Sequence, residues 1–443
     1  MFLKQQIQLG FDEYQFEANL SQNKRMMKLI SLTELFIAIS RAMDAIHPAL
    51  QAHQARTCLI ACRLGLTLDL PAQELRQLFC AALLHDIGAL GLKTRLDLLE
   101  FEDLNVFQHA FMGAALVEKS ELLKDIAPII AHHHIEWADG AGKVYKGQLV
   151  PDLSHLIHLS DRIEVRCHGD NVLARAQTIR QAITSESGRT FKPEYVQAFL
   201  SVSSHDVFWF ELAENNLEGL LTDLISDVQM SVSLDALKGV AEFLSLVVDS
   251  RSRFTARHSS GVACAAKFLA RKMNLSADEI QELEIAGLLH DIGKLAIPVE
   301  LLEKPGALTP DERALMKSHV YKTYQILSKV HGLASITQIA AMHHERGQGD
   351  GYPFGLDAND LSLSQKIMAV ADVFTALAED RPYRAQMAKA KILALLEKEA
   401  RSQSLDATVC ACVANHYDAL RACIVEAQQR SEAQLDSFWA HSR

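Results

Sequence analysis

The sequence predicts an all-α protein built as two tandem copies of one helical-bundle domain. Three observations carry this expectation. Apolar residues recur at three- and four-residue intervals almost throughout, and alternating strand-like runs are scarce. Ala, Leu, Glu and Gln, all good helix formers, dominate the composition. The segment LRQLFCAALLHDIGAL (75–90) is matched in the second half by LEIAGLLHDIGKL (283–295). Aligned on their His-Asp pairs, Leu75, Leu78, Ala81 and His85 correspond to Ile280, Leu283, Ala286 and His290. That spacing keeps to one helix face and turns both histidines toward the core.

Residues 1–30 read as an N-terminal arm. Its start, MFLKQQIQLGFDEY, lacks a basic segment followed by an apolar one, so it is not a signal peptide. No run of about 18 apolar residues occurs, so a soluble, cytoplasmic protein without a membrane partner is expected. The first copy is assigned to 31–215 and closes with SGRTFKPEYVQAFL (187–200). The second is assigned to 216–443, with Ser402–Val413 as a weaker closing counterpart and the join in the 205–235 region. Within it, Ser276-Ala277-Asp278-Glu279 has the form of a capping box that opens a helix. The dipeptide His205-Asp206 lacks an apolar helical context and is read as coincidence. The 8 cysteines form no CxxC pair and sit among apolar neighbours, so they are expected to be reduced core thiols. A formal net charge of −11 argues against wrapping polymeric nucleic acid, where Lys and Arg must neutralise phosphates.

The histidines repeat along with the helices. His53 lies 32 residues before His85 and His258 lies 32 before His290; His109 lies 24 before His133 and His319 lies 24 before His343. The adjacent pairs His133-His134 and His343-His344 follow, and then Asp161 and Asp372. One histidine on an apolar helix face is ordinarily a core residue, but an ordered set present twice is not explained that way. Imidazoles with carboxylates suit first-row transition metals such as iron or manganese. A single zinc needs only three or four ligands. The seven residues of the second copy, His258, His290, Asp291, His319, His343, His344 and Asp372, fit two ions, with Asp291 as the natural bridge. Two ions about 3.5–4 Å apart can lower the pKa of a bridging water and clamp both oxygens of a phosphoryl displacement.

The first copy keeps a parallel set: His53, His85, Asp86, His109, His133, His134 and Asp161. The run His132-His133-His134 leaves its register open, because spacing from His109 selects 133 and 134 while spacing to Asp161 selects 132 and 133. Ala89 stands where the second copy has Lys294, and no Gly-Tyr-Pro follows. This copy is a degenerate domain in which metal binding and a purely packing or regulatory role both stay open.

The second half, from about Ala241 to Leu420, resembles the HD-GYP family of HD phosphohydrolases. The motifs are HDIGK (290–294), KPGALTPDE (304–312), HHERGQGDGYP (343–353) and ADVFTALAEDRPYR (371–384). The resemblance implies a metal-dependent phosphodiesterase that hydrolyses 3′,5′-cyclic dinucleotides, cyclic di-GMP or 3′,3′-cyclic GMP-AMP, through a metal-activated hydroxide. Carried over by position, His258, His290, Asp291 and Asp372 would bind one metal, and Asp291, His319, His343 and His344 the other. Asp291 and Lys294 would be catalytic. Lys294, Tyr352, Arg381 and Arg384 would contact the substrate, the arginines by bidentate pairing with phosphate. A diguanylate or dinucleotide cyclase is a candidate protein partner. The chain departs from the family pattern in three places: Phe254 replaces a glutamate that ligates a third ion, Gln348 an aspartate and Arg257 a glycine. Two functions compete with hydrolysis of cyclic dinucleotides: a non-catalytic receptor or adaptor, and a phosphohydrolase acting on linear nucleotides.

Overall fold

A computed structural model describes residues 29–45, 50, 52–89, 106–167, 171–214, 216–252, 257–379 and 386–441. The expected arm before residue 29, Phe254, Arg381 and Arg384 lie outside the described residues. The architecture is all-α, with only two-residue strands and isolated bridges as β-structure among the described residues. None of the described helices is long and apolar enough to cross a membrane.

The chain divides into two compact units, residues 33–230 and residues 231–433 with 29–32. In the first, α1 (Leu32–Asp44) precedes α2 (His53–Thr67), α3 (Ala72–Leu84), α4 (Val106–Val117), α5 (Ala127–Ala131) and α6 (Asp152–Cys167). The unit continues through α7 (Val172–Ser185), α8 (Pro193–Val202), α9 (Asp206–Ala213) and α10 (Leu217–Leu224). Between α5 and α6, strands Val144–Tyr145 and Gln148–Leu149 form a hairpin. Its turn residues Lys146 and Gly147 have φ of 47° and 82°, the two positive values that a type I′ turn requires. Helix α10 packs on α2 through buried Leu217 and Leu221, so residues 216–230 belong by contact to the first unit and not to the second as the sequence suggested. His205 directly precedes α9, is exposed, and makes no side-chain capping bond to the helix.

The second unit starts on α11 (Leu234–Ser250), α12 (His258–Lys272), α13 (Ala277–Leu289) and the short α14 (Val299–Leu302). It continues with α15 (Pro310–Leu327), α16 (Ala334–Ala341), α17 (Leu363–Ala378), α18 (Lys389–Arg401) and α19 (Ala407–His441). Residues Ile30–Ser31 pair antiparallel with Ser231–Val232 inside this unit. Helix α12 packs against α13 and α17, and α15 against the turn that follows His290-Asp291.

Local chemistry starts the helices that carry the site. The expected capping box forms at α13: Ser276 Oγ accepts from Glu279 N (3.3 Å) and the Glu279 carboxylate accepts from Ser276 N (2.9 Å). The same device opens α15 at Thr309 and Glu312, and α17 at Ser362 and Gln365. Each such cap contributes about 1 kcal/mol and sets where the helix begins. Glu284 on α13 ties three helices together, with its carboxylate 2.7 Å from Lys267 on α12 and 3.0 Å from Lys238 on α11. Burial pushes the Glu284 carboxyl up, but the two ammonium groups outweigh it and hold it below its usual value.

Glycine explains why both copies preserve the turn after the aspartate. A Cβ on Gly293 would lie 1.9 Å from His319 O and 2.6 Å from Thr323 N. A Cβ on Gly88 would lie 2.1 Å from His109 O and 2.3 Å from Gly113 N. In each unit, only glycine lets the helix bearing the third histidine approach the His-Asp turn closely enough.

The cysteines require a correction. Cys264 on α12 and Cys423 on α19 are disulfide-bonded at a Cα–Cα distance of 6.6 Å. The two helices are in contact there, as Phe268 against His416 also shows, and a pairing across 159 residues leaves no spacing signature. Cys58, Cys62, Cys80, Cys167, Cys410 and Cys412 are free thiols.

Three substitutions test these contacts through stability. Gly293→Ala should destabilise the protein by about 1–3 kcal/mol in denaturant melts, the usual range for overpacking. Gly239→Ala, at a helical site with nothing within 4 Å, should stabilise by about 0.5–1 kcal/mol. Glu284→Gln should cost about 1 kcal/mol near pH 7. Because the folded carboxyl titrates below its unfolded value, that stabilisation is full above the unfolded pKa and is lost as pH falls through the folded one. The difference from wild type should therefore close in acid and persist at neutral pH.

Candidate metal centre

The seven residues singled out in the second copy converge from five helices of the second unit. His258 is the first residue of α12, His290 follows the last turn of α13, and Asp291 begins the next turn. His319 lies within α15, His343 and His344 directly follow α16, and Asp372 lies within α17. All are buried except His344, which is partly exposed.

The ring orientations are set by the backbone. Nδ1 of His290 is 2.8 Å from Gly287 O, Nδ1 of His319 is 2.6 Å from Met316 O, and Nδ1 of His343 is 2.7 Å from Ala340 O. A carbonyl oxygen only accepts, so Nδ1 must carry the proton, and in the neutral ring the lone pair sits on Nε2. Those Nε2 atoms face one another, and the Nε2 of His343 is buried without a hydrogen-bond partner. Burial and the neighbouring His344 and His290 rings hold His343 well below the usual imidazole value, and His344 falls to about 4, chiefly through burial. Both are neutral bases at pH 7.

Asp291 stands between two groups of rings. Its Oδ2 is 3.3 Å from His290 Nε2, and its Oδ1 is 3.2 Å from His319 Nε2. Lys294 Nζ is 2.5 Å from Oδ2. Burial would raise the Asp291 carboxyl, but Lys294 and His290 outweigh it and keep it ionised. Asp372 faces His258 Nε2 at 3.2 Å and His344 Nδ1 at 3.6 Å. Three sets of ligand atoms lie within 4.8 Å of one another: His258 with His290 and Asp372, His290 with Asp291 and His343, and His319 with His343 and His344. Orphaned imidazole nitrogens and ionised carboxylates in one buried cluster are the donor set that first-row divalent ions take.

Several residues of the surround were not found from sequence. Glu379 accepts at 3.1 Å from His258 Nδ1 and in turn receives Gln428 Nε2. Thr323 Oγ1 donates to His290 O at 2.9 Å and accepts from Gly293 N at 3.0 Å, which locks the His-Asp turn. Arg251 Nη2 donates to Ile297 O at 3.0 Å on the same turn. Glu345 accepts from Phe354 N at 2.7 Å and Leu356 N at 2.9 Å and so anchors the glycine-rich loop. Glu345 and Glu379 both lie inside the motifs noted in the sequence, which was the signal available for them.

Tyr352 lies beside the cluster, its ring 4.9 Å from that of His344, with Lys317 Nζ 4.7 Å from the tyrosine ring centre. Two of the three departures from the family pattern, Arg257 and Gln348, make contacts with the scaffold. Arg257 pairs with Glu432 at 3.1 Å, and Gln348 donates to Ser402 O.

The first unit gathers its own cluster. Asp86 Oδ2 faces His53 (3.6 Å) and His85 (3.5 Å), while Oδ1 faces His109 (3.2 Å) and His133 (3.8 Å). His133 and His134 join His109 and Asp86 in one group of ligand atoms. His132 turns away, with Nδ1 2.8 Å from Pro128 O and its ring against Phe111 and Tyr145. The register left open by the three consecutive histidines is thereby 133 and 134. Asp161 is also present, 3.5 Å from His53 Nε2, but Arg162 holds its other oxygen at 2.6 Å.

Residues 242–409 match one HD-domain family model and residues 50–166 match another. The 3′3′-cGAMP-specific phosphodiesterase 1 of Vibrio cholerae is 29% identical over 86% of this chain and 90% of its own length. A cyclic di-GMP phosphodiesterase of Thermotoga maritima is 40% identical over 34% of this chain and 41% of its own length. The crystal structure of the V. cholerae cyclic GMP-AMP phosphodiesterase V-cGAP3 superposes with a TM-score of 0.60 and 25% identity, covering 90% of this chain and 98% of that one.

Replacing Glu379 by Gln should weaken metal binding about 10- to 100-fold in a chelator competition titration, the usual cost of losing the partner that orients a ligating imidazole. The chain carries two HD domains in tandem, over residues 50–166 and 242–409.

Proposed function

We propose that the chain is a metal-dependent phosphodiesterase that opens 3′,5′-cyclic dinucleotides, with 3′,3′-cyclic GMP-AMP as the preferred substrate and the chemistry confined to the second unit. The observation that carries this reading is the split Asp291 carboxylate, with one oxygen toward His290 and the other toward His319. Such a carboxylate suits two ions, with His258, His290 and Asp372 on one side and His319, His343 and His344 on the other. Iron or manganese fits the mixed imidazole and carboxylate donors. When bound, the ions would supply Lewis acidity for a phosphoryl displacement.

The chain's own residues do the rest. Glu379 orients His258, and backbone carbonyls orient His290, His319 and His343. Lys294 holds a fixed positive charge against Asp291, where it can meet a phosphate oxygen of the substrate. Tyr352 offers an aromatic face beside His344, and Glu345 keeps the backbone of that loop in place. The Tyr352 hydroxyl is pushed up by burial and by Asp372 and Asp291, so the ring acts by packing and not as a base. The preference for the mixed dinucleotide is supported by the V. cholerae cGAMP-specific relative, which aligns over 86% of the chain, whereas the cyclic di-GMP enzyme of T. maritima aligns over 34% of it.

His290→Ala should reduce turnover of a cyclic-dinucleotide panel to background, while His85→Ala should retain it; equal loss in both would contradict the division of labour. Lys294→Ala should lower kcat by about 10²–10³-fold, the scale for removing one electrostatic contact to a developing charge. Absence of turnover in fully metal-loaded protein, together with tight retention of uncleaved ligand, would replace this reading with that of a receptor.

A further inference from the structure

The two clusters contain the same types of ligand but place their fixed cation at different corners. In the second unit the cation is Lys294, on the shared aspartate Asp291, and the residue after Asp372 is Val373. In the first unit Ala89 stands in place of Lys294, and the residue after Asp161 is Arg162. The Arg162 guanidinium is buried (7% exposed) and donates Nε at 3.0 Å and Nη2 at 2.6 Å to a single oxygen, Oδ2 of Asp161.

This has a geometric consequence. In the second unit Asp372 joins His258 and His290 in one set of ligand atoms. In the first unit the corresponding set is His53, His85 and Asp86, and Asp161 is not part of it. The opposite corner is intact. Asp86, His109, His133 and His134 offer four ligand atoms within 4.8 Å of one another. The Nε2 atoms of His133 and His134 lie 3.4 Å and 3.1 Å from His109 Nε2. Three imidazole nitrogens gathered that closely beside the Asp86 carboxylate form a donor set for one cation. His133 is held like its counterparts, with Nδ1 2.7 Å from Ile130 O.

We infer that the first unit holds one divalent cation on Asp86, His109, His133 and His134, and that Arg162 takes the place of a second ion beside Asp161. Two like charges confined to that low-dielectric corner would repel strongly, so the guanidinium and an ion exclude each other. One carboxylate and three imidazoles would fill the four-coordinate shell that a structural zinc takes, with no protein-free position for a reacting water. The first site is therefore a structural one that stabilises its unit.

The test is metal counting on the full-length chain with the second-unit cluster disabled by Asp291→Ala and His343→Ala, so that the ions counted belong to the first unit. After loading with Zn²⁺ or Mn²⁺ and desalting, elemental analysis should give about one ion per chain. Adding His109→Ala should remove it. Adding Arg162→Val, which installs the residue found at the aligned position of the second copy, should raise the count toward two. EDTA should lower the thermal midpoint of the parent variant and not that of the His109→Ala variant. If Arg162→Val does not give the helical far-UV spectrum of its parent, Arg162→Gln serves in its place. No ion in a folded parent, two ions with Arg162 present, or no gain on removing the guanidinium would each overturn the inference.

Discussion

The second unit depends on a single buried carboxylate. Asp291 has imidazoles on both of its oxygens and an ammonium on one of them. Burial of such a group is tolerable only where surrounding charge replaces the lost water. The helices around it are arranged to meet that demand. Gly293 lets α15 close onto the turn, Thr323 pins the turn to α15, and capping boxes start α13, α15 and α17 at the right residues. The histidines then face inward because backbone carbonyls three residues earlier hold their outer nitrogens.

Much of this was legible in the sequence, for a physical reason. Helix periodicity places Leu283, Ala286 and His290 on one face, and the structure buries all three. The Ser276 capping box and the seven-residue set could be found because local rules and exact repeat spacing act along the chain. The parts that were not legible depend on contacts across the fold. Glu379 meets His258 from 121 residues away, and Cys264 meets Cys423 from 159 away. The register of His132, His133 and His134 depends on which ring the Pro128 carbonyl captures, which only the turned backbone reveals. Residues 216–230 read as part of the second copy because no proline- or glycine-rich linker marks the join, and Leu217 and Leu221 pack on α2 instead.

The two copies show how a duplicated site can diverge with few changes. The glycine after the His-Asp pair, the carbonyl-held histidines and the split aspartate are present in both. The differences are concentrated in charge: Lys294 against Ala89, and Val373 against Arg162. A carboxylate with a buried guanidinium on one oxygen offers an ion less than one facing imidazole alone. The loop after the paired histidines differs as well, with the glycine-rich segment through Pro353 on one side and a two-stranded hairpin on the other.

The central claim is that Asp291 joins two ions in the second unit. Electron paramagnetic resonance of the Mn²⁺-loaded full-length chain tests it most directly. The account predicts an exchange-coupled dimanganese signal that disappears in Asp291→Ala, with isolated Mn²⁺ as the remaining species. Isolated Mn²⁺ alone in fully loaded wild-type protein, or a coupled signal that survives the loss of Asp291, would contradict it.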